Sequence, residues 1–168
     1  MRLVGGVALT GVSGPCMLLA VRSTYRYLGA IIFGLIVVQI GLAAYGAFDE
    51  IHKSESAPVT KKAAEDAFGA HAILGSVVVL LMIILLIVAA AGRMDATKVR
   101  WAAIIAGLGI LQFILGAVST SAPAVGFLHG LNAVAIFVTT GILAHRSWRP
   151  GRASADAHGE TQTGYTTA

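Results

Sequence analysis

Two histidines carry the chemistry this sequence offers: His71 in FGAHAILG and His129 in GFLHGLNA, each at the start of a long apolar stretch. Gln39 in VVQIGLAAYG and Gln112 in ILQFILGAVS stand inside the apolar stretches that precede them. An ionisable side chain within a bilayer is costly and by default a functional residue. Neutral imidazole is a good ligand for iron. Two of them, one on each side of a porphyrin, would make a six-coordinate haem whose flat apolar ring lies between helices. One turn beyond each histidine stands a small residue, Gly75 or Ala133, and Gly130 follows His129 directly, so a macrocycle or another helix can come close. The plainer reading is that such residues only join helices, at about 0.6 kcal/mol per hydrogen bond. Gln39, Gln112, Ser76 and Asn132 are read in that way, with Asn132 on the same helix face as His129. His52, His145 and His158 lie in charged or polar flanks and read as solvated.

The elements that position these residues follow from composition. The 168 residues are 57% hydrophobic and 12% charged, with a mean hydropathy of +0.81, against about 25% charged in an average soluble domain. Charge is absent from residues 28–48, 72–92, 101–118 and 125–144. Each run has the length of about 17–25 residues that a helix needs to cross hydrocarbon. The expected fold is all-α, an integral membrane up-down-up-down four-helix bundle, with helices at about 27–48, 68–92, 100–118 and 124–146 in a domain spanning residues 25–149. Although the net charge is +4, the basic residues are juxtamembrane and form no separate domain, which excludes nucleic-acid binding. A single cysteine, Cys16, excludes a disulfide framework.

Residues 1–24 are expected to be a loosely structured extension. The apolar run at 3–21 leads into Arg22 and Arg26 rather than a small-residue cleavage site, and Pro15 stands where a lipoprotein signal would place a small residue before Cys16. Met17 is an alternative start. The small, polar tail 150–168 is expected to be disordered. Nine Lys and Arg flank the spans on one side (Arg2, Arg22, Arg26, Arg93, Lys98, Arg100, Arg146, Arg149, Arg152) and three on the other (Lys53, Lys61, Lys62). By the positive-inside rule both termini are cytoplasmic in the cell membrane, and the histidines belong to the outer half. The connection 119–123 is so short that the last two helices must form an antiparallel hairpin, with Pro123 in the first turn. The acids of Ala64-Glu65-Asp66-Ala67-Phe68 suit a helix that begins outside the membrane.

The two halves read as a repeat. Gln39 lies 13 residues from Arg26 and Gln112 lies 12 from Arg100, which puts both roughly 18–20 Å above the basic flank. Helices two and four run in the same direction, so both histidines can project inward, held apart by the width of the bundle.

Residues 111–146 resemble a repeat unit of the haem A synthase superfamily, in which a Q-x-x-L-G-like helix, a short turn and an H-x-x-x-A-like helix recur. Gln39 and His71 mark a weaker copy. The resemblance implies one four-helix bundle with His71 and His129 as axial ligands of haem b. That superfamily carries two such bundles, and a glutamate where Phe68 stands here. The chain also resembles small four-helix membrane proteins of actinobacteria that begin with a Y-R-x-L helix, as Tyr25-Arg26-Tyr27-Leu28 does.

These observations lead to a membrane cytochrome or haem-handling accessory protein, with a quinone or redox protein as partner. The alternative is a cofactor-free structural or accessory membrane protein. A coupled transporter is disfavoured because no carboxylate lies within the four spans. Nothing in the chain pairs a nucleophile with a base or forms a phosphate-binding glycine loop, so a dedicated enzyme is not expected.

Overall fold

The computed structural model describes residues 15–148 apart from 57, 59, 120 and 121. Five helices account for nearly all of it: α1 (Pro15–Ser54), α2 (Lys61–Ala67), α3 (Gly69–Ala91), α4 (Ala96–Val118) and α5 (Pro123–Trp148). All but α2 are long and apolar enough to cross a membrane. In hydrocarbon every backbone amide must be satisfied within its own segment, which a helix does. The chain is an all-α membrane protein.

Helix boundaries come from local chemistry. Asp95 caps α4 by accepting from the backbone N–H of Lys98 at 3.1 Å. Lys98 also donates its ammonium to that carboxylate, and the two hydrogen bonds hold the Asp95 carboxyl below its ordinary value. Thr60 caps α2 in the same manner through Ala63. Pro123 opens α5, where a missing N–H costs nothing, and the Ala122 carbonyl accepts from Val125 and Gly126. At the end of α3, Arg93 donates to the Ala90 carbonyl and Met94 to that of Ala89, with Arg93 in the left-handed region at φ 48°. This is a Schellman ending with arginine where glycine is usual. Glycine is present one residue earlier because α1 passes close by: a Cβ on Gly92 would strike the Val21 side chain.

The four long helices form a ring in which each packs on its two neighbours in sequence and α5 closes onto α1; the diagonal pairs α1/α4 and α3/α5 make no close backbone approach and meet only through side chains. Both ends of this ring can be named by chemistry, a basic end (Arg22, Arg26, Arg93, Arg100, Arg146) and a histidine end. Towards the basic end the interior is closely filled, with Ile32, Met82, Leu85, Ile105 and Thr140 fully buried. Glycines set the helix spacing, as a Cβ on Gly109 would stand 2.5 Å from Met82 Sδ and one on Gly141 3.1 Å from the Phe33 ring. Large apolar side chains such as Ile73, Leu80, Phe113 and Val134 face outward. Polarity no longer separates inside from outside when the solvent is lipid.

Helix α1 runs well beyond the expected 27–48. Its 40 residues measure about 60 Å, twice the roughly 30 Å of hydrocarbon. Residues 15–24, expected as part of a loose extension, are the first turns of α1. Residues 1–14 and the tail 150–168 lie outside the described residues.

Candidate functional site

Five polar side chains gather inside the ring at the histidine end: Gln39 from α1, His71 from α3, Gln112 from α4, and His129 and Asn132 from α5. Each long helix contributes at least one. The imidazoles of His71 and His129 come from diagonal helices and meet between them, with ring centroids 6.3 Å apart and planes at 65°. They are not held apart by the bundle, as the sequence suggested, because both side chains reach into its central seam.

The two histidines are fixed differently. His71 and Gln39 form a reciprocal pair: the Gln39 amide donates to the His71 carbonyl at 2.6 Å, and His71 Nδ1 lies 3.2 Å from the Gln39 carbonyl. A carbonyl only accepts, so Nδ1 carries the proton and Nε2 keeps its lone pair free. A backbone carbonyl holding Nδ1–H is the usual way in which a ligating imidazole is oriented.

His129 is oriented through a relay that starts on the α4 backbone. Asn132 Nδ2 donates to the Leu108 carbonyl at 3.0 Å and to Gln112 Oε1 at 2.7 Å. The Leu108 carbonyl fixes which end of the Asn132 amide points to it, and Asn132 in turn fixes Gln112. Gln112 Nε2 must therefore donate to His129 Nε2, 3.1 Å away. His129 is then neutral with its proton on Nδ1, and that atom is buried without a partner. Gln39 Oε1 is likewise buried and unpartnered. Each such atom costs about 1–3 kcal/mol.

Glycine makes room at two contacts. A Cβ on Gly75 would meet Gln39 Nε2 at 2.8 Å, and one on Gly116 would meet His129 Cε1 at 3.1 Å. Gly75 therefore seats the Gln39 amide. Gly116, the last residue of the Q-x-x-L-G stretch, is what sequence reasoning missed; its place one turn beyond Gln112 was the available signal. Gly130, read as a close-packing residue, has nothing near it. Ser76 donates to Ala72 of its own helix at 2.9 Å and joins no other. The glutamines, read as packing residues, are the direct partners of the histidines. Phe68, at the joint between α2 and α3, sets its ring edge to face with His71 at 6.3 Å.

The acids of α2 stay away from this cluster. Glu65 and Asp66 are exposed and pair with Lys61 and Lys62 one turn back, at 3.6 and 3.3 Å. Among the described residues no three His, Cys, Asp or Glu side chains form a metal-binding group.

A protein-family profile, described as a family of unknown function (DUF6220), matches residues 60–120. This stretch holds α2, α3 and α4 with His71 and Gln112, and leaves out Gln39 and His129. No curated protein and no solved structure matches the chain.

Proposed function

We propose that this membrane protein binds a b-type haem at its histidine end, with His71 and His129 as axial ligands. The observation that carries the reading is the close approach of the two imidazoles, with ring centroids 6.3 Å apart. At this separation both imidazoles would reach one metal ion. His71 offers a free Nε2 on a ring held by Gln39. Ligation by His129 Nε2 exchanges its hydrogen bond from Gln112 for a metal bond. Two imidazoles without a third ligand suit an iron whose other four positions are filled by its own macrocycle. Bound there, haem supplies reversible one-electron transfer, which fits a quinone or a redox protein as partner. The basic end is assigned to the cytoplasm.

An absorption spectrum tests the reading. Protein purified after expression with haem supply should show a Soret band and a reduced-minus-oxidised α-band, and His71→Ala and His129→Ala should each abolish the six-coordinate signature. A colourless protein from haem-supplied cells would overturn the reading. The competing reading, a cofactor-free bundle, is favoured by one observation: His129 Nε2 already has a hydrogen-bond partner in Gln112, at the end of the relay from Leu108 through Asn132. It expects the histidine variants to change thermal stability and no optical property.

A further inference from the structure

Two arginines of the basic end, Arg26 and Arg146, lie on aromatic rings, and among the described residues neither is paired with a carboxylate. The Arg26 guanidinium carbon is 4.4 Å from the centre of the Trp148 ring and 5.5 Å from that of Tyr27. These two rings meet edge to face at 5.7 Å and tie the start of α1 to the end of α5. Arg146 lies over Trp101 in the same way, at 5.3 Å. Among the described residues the ion pairs are made by lysine and histidine alone, and Asp95, the acid at this end, is taken by Lys98. Arg26 Nε is buried against the rings without an acceptor. Next to it Tyr25, only 3% exposed, donates its hydroxyl to the Lys98 carbonyl at 3.2 Å. The turn that carries Arg26 is thus anchored to α4 as well as α5.

We propose that the seam between the start of α1 and the end of α5 binds the phosphate of an anionic phospholipid, with Arg26 as the ligand and Trp148 and Tyr27 as its platform. The two rings hold the guanidinium at the seam, and its planar fork of N–H donors matches two oxygens of a phosphate. Tryptophan and tyrosine stand where headgroups lie, and basic pockets between membrane helices take anionic headgroups. A lipid is favoured over a soluble anion because the platform continues into hydrocarbon: Tyr27 and, one turn deeper, Ile31 are 52% and 53% exposed on one face of α1, a track for an acyl chain. The site is independent of any cofactor at the histidine end.

Quenching of tryptophan fluorescence decides it. In full-length protein carrying Trp101→Phe, Trp148 is the sole tryptophan. The protein is reconstituted with phosphatidylglycerol or phosphatidylcholine bearing the same shallow nitroxide quencher. Phosphatidylglycerol should quench at a mole fraction about fivefold lower, the preference one arginine near an anionic surface confers. Arg26→Gln should remove the preference and Arg26→Lys should reduce it, the result being read in whichever variant yields folded protein. Arg22→Gln, one turn away, should retain it. Equal quenching by the two lipids, or an unchanged preference in both Arg26 variants, would overturn the proposal. So would abolition of the preference by inorganic phosphate but not by chloride of equal ionic strength, which would make the occupant a free anion.

Discussion

Asn132 is the residue on which the histidine end turns. Its amide is the only group in the relay whose orientation is fixed by backbone, through Leu108, so the direction of every later hydrogen bond depends on it. In Asn132→Asp an acceptor would face both the Leu108 carbonyl and Gln112 Oε1. Removing or inverting one member of a buried network costs about 1–3 kcal/mol, whereas a single membrane helix hydrogen bond averages about 0.6 kcal/mol. Asn132→Asp should therefore lower the melting temperature in detergent more than Asn132→Ala does, and Gln112→Leu should make the two Asn132 substitutions less different. Equal effects in the presence of Gln112 would show that the relay does not set the orientation. Both histidines were legible in the sequence because an ionisable group in an apolar stretch stands out. What was not legible is that they are held unequally. The sequence gives both an in-level glutamine, but whether that glutamine meets a backbone carbonyl, as Gln39 does, or a ring, as Gln112 does, depends on helix rotation, which no spacing encodes.

The end of α3 shows an element resolving two demands with one glycine. Close passage of α1 needs a residue without Cβ at 92, so the left-handed position that follows falls to Arg93. A non-glycine residue there costs about 1–2 kcal/mol. Arg93→Gly should accordingly raise thermal stability, by up to about 1 kcal/mol once the freedom gained by the unfolded chain is subtracted. Gly92→Ala should lower it, because the added Cβ meets Val21 and the Val88 carbonyl. Thermal melts of both variants in one detergent check the pair, and a destabilised Arg93→Gly would mean that the arginine makes a contribution larger than its backbone strain. The number, type and order of the spans could be read from the sequence, since four uncharged runs allow little else. The length of α1 could not. Charge marks where hydrocarbon ends, whereas a helix continues into water wherever local chemistry permits, as the Lys53–Asp49 pair at 2.5 Å does in its last turns.

For the whole molecule, the ring of four helices places the described chain ends, at Pro15 and Trp148, together with the α3–α4 connection at the basic end, and the α1–α2 and α4–α5 connections at the other. Among the described residues the sides therefore differ by six Lys and Arg (Arg22, Arg26, Arg93, Lys98, Arg100, Arg146) against three (Lys53, Lys61, Lys62). Since the positive-inside rule counts Lys and Arg in short flanks and acids contribute little, the five acids near the α1–α2 connection leave this asymmetry standing. Accessibility to a membrane-impermeant maleimide can read the outcome, because Cys16 is the only thiol and can be removed as Cys16→Ser. In that background Glu55→Cys, in the α1–α2 connection, should label in intact cells. Thr97→Cys, exposed in the first turn of α4, should label only after the membrane is opened. The opposite pattern would place the histidine end in the cytoplasm, and any redox partner there with it. Labelling of both sites in intact cells would rule out the four-span topology itself, since a single span, α3, lies between residues 55 and 97 and must place them on opposite sides.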